Sequence, residues 1–257
     1  MTLEGKTVII TGGTHGIGEE TAILFASRGA RVAIIGRDEK KASEIVKQSK
    51  GNIEFLRCDL SDRKQLLGLC KTIEAKYDRI DVLINNASRN SRFNVLNLEA
   101  DEWDRMIELN MTSVFLLTKT VAGKMVKKGT KGKIINIGAV QSFFPLDSSF
   151  PYSSVKGALR SMTKSMAVDL SPHGILVTLV MPGPIYAKAD SDEPSGDLDS
   201  RAATLVGRMG RKYEVAELLE FLSSDRNTFM TGNEIVIDGG RTISRKPDPS
   251  EIKEDVI

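Results

Sequence analysis

Residues 11–18 read Thr11-Gly12-Gly13-Thr14-His15-Gly16-Ile17-Gly18, and this stretch decides the fold of the chain. It directly follows the apolar run Val8-Ile9-Ile10 and leads into Glu19-Glu20-Thr21-Ala22, which has helical character. Glycines between a strand and a helix allow the backbone to bend sharply. The sequence therefore predicts the first strand, turn and helix of an α/β domain here.

Outward from this turn, short apolar runs recur along the chain, and segments long enough for helices separate most of them. Such runs are typical of parallel strands buried on both faces of a sheet. We predict a single doubly wound α/β domain of the Rossmann type, with a parallel sheet of about seven strands and helices on both faces. The strands that can be placed are Val8–Ile10, Val32–Ile35, Val82–Ile84, Ile134–Ile137, Leu176–Val180 and Ile235–Ile237.

Composition limits the class of protein. With 257 residues and 40% apolar residues, the chain can form one domain, predicted over residues 1–243, followed by a charged tail over residues 244–257. The 36 basic and 34 acidic residues give no concentrated charge for nucleic acid. Cys58 and Cys70 have no metal-ligand spacing, and no apolar run approaches the ~20 residues of a membrane span. We expect a soluble cytoplasmic protein without metal, nucleic-acid or membrane partners.

The glycine turn also predicts a binding site. Its backbone allows a pyrophosphate to approach closely, and the helix that follows offers free N–H groups and the positive end of its dipole. The candidate contacts in the turn are Gly12, Thr14, His15, Gly16, Ile17 and Gly18.

The second predicted strand ends in Gly36-Arg37, where the adenosine ribose of a dinucleotide is expected. Glycine leaves room there for a 2′-phosphate, and the Arg37 guanidinium supplies donors for it, with His15 as a candidate second contact. Asp38 offers the competing interpretation, because a carboxylate favours ribose hydroxyls and hence NAD(H). We prefer Asp38 as the N-cap of the next helix, so NADP(H) is expected over NAD(H).

Further motifs point to a protein family more specifically than the glycine turn does. They are Asn85-Asn86-Ala87-Ser88, Asn110 in Leu109-Asn110-Met111-Thr112, Tyr152-Ser153-Ser154-Val155-Lys156, Met181-Pro182-Gly183-Pro184-Ile185 and Asp238-Gly239-Gly240. With the glycine turn they resemble the short-chain dehydrogenase/reductase family over roughly residues 4–241. The resemblance is best to its compact branch, which includes 3-oxoacyl-carrier-protein reductases and sugar dehydrogenases.

The resemblance implies further cofactor contacts. Asp59 is expected at the adenine edge with Leu60 beside it, Asn86 in the adenosine pocket, and Pro182 and Ile185 near the nicotinamide carboxamide. For Asp59 and Asn86 a hydrogen bond that fixes a loop is the alternative, and both roles are compatible. A dimer or tetramer, formed partly through the helix that carries Tyr152, is also implied.

The chemistry implied is hydride transfer between a nicotinamide and a small-molecule ketone or secondary alcohol. Tyr152 is the candidate proton donor, but an ordinary phenol titrates near pH 10, so its pKa has to be lowered. Lys156 lies four residues later, on the same helical face, and its positive charge is expected to favour the phenolate. In the family this lysine also binds the nicotinamide ribose, and Asn110 holds a water of the proton relay.

One expected catalytic group is missing. The family has a serine thirteen residues before the tyrosine, which polarises the substrate carbonyl, but this chain has Ala139 there. Three explanations stay open: Ser142 or Gln141 replaces the donor, the enzyme is slow or uses a less demanding substrate, or the protein binds dinucleotide without turnover as a regulatory or structural protein. Ala187, where the family usually has threonine, is a second departure.

The substrate side gives weaker signals. An apolar run (Phe143, Phe144, Pro145, Leu146 and Phe150) is expected to form a wall over the nicotinamide or a subunit contact. The acidic stretch over about residues 186–206 is expected to be a substrate loop. Lys127, Lys128 and Lys131 are candidates for attracting an acidic carrier protein.

Overall fold

A computed structural model describes residues 3–49, 51–186 and 204–243. Their strands are β1 (Thr7–Thr11), β2 (Arg31–Gly36), β3 (Ile53–Arg57), β4 (Val82–Asn85), β5 (Lys133–Ile137), β6 (Leu176–Pro182), β7 (Ile185–Tyr186), β8 (Gly210–Arg211) and β9 (Glu234–Ile237). Seven of these form a parallel sheet in the order β3-β2-β1-β4-β5-β6-β9, and β7 pairs with β8. The predicted fold class is confirmed.

Helices connect the successive strands of the seven-stranded sheet. They are α1 (Gly16–Ser27), α2 (Glu39–Gln48), α3 (Arg63–Lys76), α4 (Ala100–Ile107), α5 (Ser113–Lys128), α6 (Phe150–Leu170) and α7 (Lys212–Ser223). Single turns of 3₁₀-helix cover Val140–Ser142 and Ser171–His173. A π-helical turn over Glu108–Thr112 joins α4 to α5.

Both faces of the sheet are covered. Val8 and Ile10 of β1 point into a core with Phe25 of α1 and Leu219 of α7. The intervening Ile9 points into the opposite core, with side chains of α3 and α5 such as Leu66 and Val121. This alternation explains why the central strands are apolar without interruption.

The strand order positions the site. The chain runs outward from β1 to β3 and then crosses back to β4 on the other side of β1. In an open parallel sheet such a reversal leaves a crevice at the carboxyl ends of the two central strands, where ligands bind. The glycine turn follows β1, and the Asn85-Asn86 segment lies at the end of β4.

Some expectations concern residues outside the described ranges. Ala187, most of the acidic stretch over residues 186–206 and the tail over residues 244–257 belong to them. Within residues 3–49, 51–186 and 204–243, no helix is long and apolar enough to cross a membrane. The same ranges contain no group of three His, Cys, Asp or Glu side chains arranged to hold a metal ion.

Candidate active site

The glycine turn after β1 has the conformation that its sequence predicts. Gly12 and Gly16 adopt φ values of +66° and +59°, which side-chain-bearing residues rarely adopt. Gly18 has a different role, because a Cβ there would lie 2.3 Å from the carbonyl oxygen of Gly12. It allows α1 to pack directly on the turn, so its contribution to a ligand site is to shape the backbone.

A groove of about 600 Å³ opens at the crevice. It is lined by many of the residues predicted to contact a cofactor: Gly12, Thr14, His15, Ile17, Arg37, Asp59, Leu60 and Asn86. Ser88, Arg89 and Arg105 also line it. Pro182 and Ile185 lie at the end of β6 and in β7, where the Gly183 N–H donates to the Ile237 carbonyl.

Asn86 fixes the turn. Its side-chain amide donates to the carbonyl oxygens of Thr11 and Gly12, at 3.0 and 3.2 Å. The Thr11 hydroxyl in turn accepts from the backbone N–H groups of Asn86 and Ala87. Through these hydrogen bonds Asn86 fixes the loop. They join the backbone at the end of β1 to the backbone after β4, beside the groove.

The end of β2 carries a network of charged side chains. Arg37, whose side chain is 72% exposed, lies 3.4 Å from a carboxylate oxygen of Asp59. Asp38 caps α2 as predicted, by accepting from the Lys41 N–H at 2.9 Å. His15 lies 3.3 Å from the other carboxylate oxygen of Asp38. The Asp38 carboxylate is therefore already engaged on both oxygens, whereas the Arg37 guanidinium faces the groove.

Asp59 also organises its own loop. One carboxylate oxygen accepts from the Ser61 N–H and hydroxyl, at 3.0 and 2.7 Å. Burial raises the pKa of Asp59, but these bonds and Arg37 outweigh it, so the pKa lies below its usual value. Asp59 is thus ionised at neutral pH and holds Arg37 in place.

Tyr152 and Lys156 lie on one face of α6, as their spacing predicts. The Lys156 ammonium nitrogen lies 5.6 Å from the centre of the Tyr152 ring and donates to the Ile137 carbonyl at 2.7 Å. Their electrostatics differ from expectation. Burial raises the pKa of Tyr152 to about 12 and lowers that of Lys156 to about 7. Burial therefore disfavours the charged forms of both groups, because desolvation penalises the ammonium and the phenolate.

Asn110 lies within the π turn and is almost completely buried. Its side-chain N–H donates to the Met106 carbonyl at 3.0 Å. Its amide oxygen accepts a 2.6 Å hydrogen bond from the hydroxyl of Ser88. Ser88 also hydrogen-bonds to Tyr152 and lowers its pKa, against the larger effect of burial. Sequence reasoning did not identify Ser88 as a site residue.

Ala139 lies at the end of β5, directly before the 3₁₀ turn, and is buried. In that turn the Ser142 hydroxyl donates to the Met181 sulfur at 3.7 Å, a weak contact. Gln141 is partly buried beside it. Ser142 therefore has a hydroxyl that a better acceptor can recruit, whereas Ala139 offers only a methyl group.

The lysines considered for a carrier protein lie elsewhere. Lys128 and Lys131 line a second cavity, of about 380 Å³, together with Lys133 at the start of β5. Lys128 also forms an ion pair with Asp78 at 2.5 Å. This cavity is at the amino ends of the strands, opposite the groove, so these lysines do not flank the candidate active site.

The groove fits a nicotinamide dinucleotide by its own chemistry. The glycine turn exposes backbone N–H groups at the start of α1, which suit a pyrophosphate. Arg37 supplies a planar cation at the adenosine end, and Tyr152, Lys156, Asn110 and Ser88 supply proton-bearing groups near the other end. A bound nicotinamide would supply the hydride, for which none of these side chains is a source.

Comparison with known proteins agrees with this geometry. Residues 6–197 match the family model described as short chain dehydrogenase. The chain is 35% identical over 243 residues to a cyclopentanol dehydrogenase of Comamonas testosteroni, covering 92% of this chain and 97% of that protein. It is 32% identical over 247 residues to a 3-oxoacyl-[acyl-carrier-protein] reductase of Thermotoga maritima, covering 95% of this chain and all of the relative.

Solved structures agree as well. An acetoin dehydrogenase from Salmonella typhimurium superposes with a TM-score of 0.86 at 31% identity, covering 96% of this chain and 98% of the other. A short-chain type dehydrogenase/reductase from Mycobacterium marinum has a TM-score of 0.82 at 32% identity, covering 95% and 97%. The chain therefore belongs to the short-chain dehydrogenase/reductase family, as an NAD(P)-dependent enzyme of the class that acts on CH–OH and C=O groups.

Proposed function

We propose that this protein is an NADP(H)-dependent oxidoreductase that interconverts a small ketone and a secondary alcohol. The observation that carries the proposal is the grouping of Tyr152, Lys156, Asn110 and Ser88 beside a groove whose far end carries Arg37. Tyr152 gives its phenolic proton to the carbonyl oxygen as the hydride arrives at carbon, and takes the proton back in the oxidation.

Lys156 and Asn110 support that proton transfer. Burial lowers the pKa of Lys156 to about 7, which brings it into the range where a group can both hold and release a proton at neutral pH. A bound anionic dinucleotide favours the protonated form, and the cation then stabilises the phenolate of Tyr152. Asn110 lies in the π turn, and its amide oxygen accepts a hydrogen bond from Ser88 at this end of the groove.

The preference for NADP(H) is supported by the end of β2. The Asp38 carboxylate is occupied by the Lys41 N–H and by His15, so it is poorly placed to accept from both ribose hydroxyls. The Arg37 guanidinium is 72% exposed and is held at the groove by Asp59. A planar cation in this position favours a 2′-phosphate.

We propose an apolar substrate of modest size. Phe143, Phe144, Leu146 and Phe150 lie between β5 and Tyr152 and keep 38–45% of their surface exposed. Phe150 stacks on Trp103 of α4 with ring centres 5.8 Å apart. Large exposed apolar side chains in a cluster mark a binding surface. The cyclopentanol dehydrogenase among the relatives points in the same direction.

The absent hydroxyl at Ala139 leads us to propose slow turnover. Loss of one donor to the developing oxyanion typically reduces kcat by ~100- to 1,000-fold. Ser142, with its weak contact to Met181, is the candidate partial replacement, with Gln141 next to it.

We also propose that the protein forms a dimer or tetramer. Phe115 on α5 and Val168 on α6 are 50% and 73% exposed, and apolar side chains at such exposure favour a subunit contact. Light scattering coupled to size-exclusion chromatography measures the molar mass directly, and a mass of one chain at micromolar concentration would contradict this.

The function is tested with a substrate panel at high enzyme concentration. The panel contains cyclic and open-chain ketones, acetoin, 3-oxoacyl thioesters and sugars, each with NADPH and NADH, together with the matching alcohols and oxidised cofactors. We expect NADPH-dependent reduction of an apolar ketone. Tight binding of NADPH without turnover of any substrate would instead favour a dinucleotide-binding protein with a regulatory or structural role.

A further inference from the structure

The second cavity, of about 380 Å³, lies where three neighbouring strands begin. Lys6 directly precedes β1, Asp81 directly precedes β4, and Lys133 is the first residue of β5. Because β1, β4 and β5 are adjacent and parallel in the sheet, these residues meet at one edge. The connections that lead into β4, β5 and β9 add Asp78, Arg79, Lys128, Lys131 and Asp225 to the wall.

We propose that this space, the amino-end cavity, binds a small anion that carries a phosphate group. Its wall contains five basic side chains, which are Lys6, Arg79, Lys128, Lys131 and Lys133, and three carboxylates, which are Asp78, Asp81 and Asp225. The surplus of two positive charges matches a phosphate dianion. The site lies opposite the dinucleotide groove and shares no residue with it, so the proposal does not depend on turnover.

Arg79 is fixed in the wall by a buried carboxylate. Asp81 is 5% exposed, and one of its oxygens accepts from the Thr7 N–H at 2.9 Å. The other oxygen lies 2.8 and 2.7 Å from Nε and Nη2 of Arg79. A guanidinium carries five N–H donors, so this pairing leaves donors for a second anion. Asp81 therefore holds a planar cation at the cavity and leaves part of its binding capacity free.

Lys133 brings a charge that the described part of the chain does not pair with a carboxylate. Its side chain is partly buried, and its ammonium donates to the neutral carbonyl of Asn227 at 2.5 Å. Burial lowers the pKa of Lys133; Asp225 opposes this effect and Lys6 adds to it. A partly desolvated ammonium beside a second cation is stabilised by an anion.

The remaining cations are available to a ligand. Lys6 pairs with Asp225 at 2.7 Å and Lys128 pairs with Asp78 at 2.5 Å, but the two aspartate side chains are 89% and 84% exposed. Ion pairs this exposed contribute little to stability, so their ammonium groups can turn toward a bound dianion at small cost. Lys131 is exposed at the rim.

A simpler interpretation is that these cations neutralise the carboxyl end of α5. That helix ends at Lys128, and the backbone N–H groups that follow it cap its last carbonyls. A cation is favourable there, which accounts for Lys128. It does not account for Arg79, which precedes β4, or for Lys133, whose ammonium reaches the connection between α7 and β9. The concave shape favours a small anion over the surface of an acidic protein.

The first test follows thermal unfolding of the full chain, without cofactor or substrate, as inorganic phosphate replaces chloride at constant ionic strength. A ligand of the folded state raises Tm. We expect this rise in the wild type and in Lys127→Met, which removes a charge from the same helix end but outside the cavity wall. Lys133→Met should weaken phosphate binding at least about tenfold.

Lys131→Met is the second variant, in case Lys133→Met does not fold. Its side chain is exposed, and its loss should weaken phosphate binding about two- to fivefold. Wild-type dependence on phosphate in both variants would overturn the proposal. Arg37→Ala separates the two sites: a rise in Tm that is lost in Arg37→Ala and kept in Lys133→Met would place phosphate in the groove, which also overturns it.

Glycerol 3-phosphate distinguishes the two sources of the phosphate group. Tighter binding of this ester than of inorganic phosphate would support the proposal and assign the cavity to a phosphorylated metabolite. Tighter binding of inorganic phosphate would support it and assign the cavity to the free ion. If neither compound raises Tm while polyglutamate does, the cavity is part of a surface for an acidic protein and the proposal fails.

Discussion

Lys156 donates a 2.7 Å hydrogen bond from its buried ammonium to the carbonyl oxygen of Ile137, at the end of β5. This bond fixes the side chain, but one neutral acceptor does not compensate for the loss of water. The pKa of Lys156 falls from 10.5 to about 7. Helix α6 therefore carries a group, Lys156, whose burial destabilises the folded protein.

Replacing this lysine should stabilise the cofactor-free protein in a pH-dependent way. Below pH 7 both the folded and the unfolded chain hold the proton, and the full burial cost applies. Between pH 7 and 10.5 the unfolded chain binds more protons, so the stability of the wild type rises with pH. We expect Lys156→Met to raise the free energy of unfolding by about 2–4 kcal/mol at pH 6.

Denaturant unfolding at pH 6, 8 and 10 measures this difference, which should shrink steadily as pH rises. A difference that is the same at every pH would mean that Lys156 is not desolvated as described. Lys164→Met is the control, because Lys164 on the same helix is 60% exposed and paired with Glu234.

Tyr152→Phe should remove turnover with limited effect on dinucleotide binding. The ring beneath Lys156 is kept, but the proton donor is lost, and general-acid catalysis typically contributes ~100- to 10,000-fold. Steady-state kinetics and fluorescence titration with NADPH measure the two effects. Activity at a tenth of the wild-type value or more would remove Tyr152 from the proton-donor role.

Ala139→Ser should accelerate the reaction by restoring a donor beside the substrate oxygen. Position 139 has an extended backbone and precedes a turn, so serine is accommodated there without strain. We expect kcat to rise at least about tenfold, with a smaller change in KM. Ala139→Gly changes the volume without adding a hydroxyl and should give no gain. An unchanged kcat in Ala139→Ser would show that Ser142 or Gln141 already supplies the donor.

Arg37→Ala should weaken NADPH much more than NADH. Loss of a charge-assisted contact to the 2′-phosphate is expected to reduce NADPH affinity about 10- to 100-fold, with little effect on NADH. Arg57→Ala is the matched control at the end of the neighbouring strand, where Arg57 pairs with Glu39 at 2.6 Å. Equal losses for both cofactors in Arg37→Ala would contradict selection of the phosphate.

Gly18→Ala should disrupt the glycine turn after β1. Gly68→Ala, in α3, is the control and should leave that turn intact. A Cβ at position 18 would lie 2.3 Å from the Gly12 carbonyl oxygen, so α1 has to move away from β1. At position 68 in α3 a Cβ meets nothing within 4 Å, and alanine should stabilise the helix by about 0.5–1 kcal/mol. Thermal unfolding and NADPH binding of the two variants test this. Wild-type binding by Gly18→Ala would exclude the close packing described.

The sequence predicts the central sheet well because buried strands are apolar without interruption. β3 was not placed, since it is an edge strand whose Glu54 and Arg57 break the apolar pattern. Helical spacing correctly puts Tyr152 and Lys156 on one face, but spacing carries no information about desolvation, and their pKa values therefore differ from expectation. Ser88 escaped notice because its partners are 22 and 64 residues away, and only folding brings them together.

The π turn at Glu108–Thr112 limits how this chain tolerates changes in length. A π turn holds about one residue more than a regular α-helical turn, so removing one residue from it would give a regular helix in which α4 and α5 keep their relative orientation. Asn110 lies within the turn, and the deletion would change its position relative to Ser88 and Met106. Loss of one residue from this segment should therefore damage the candidate active site more than the helix that carries it.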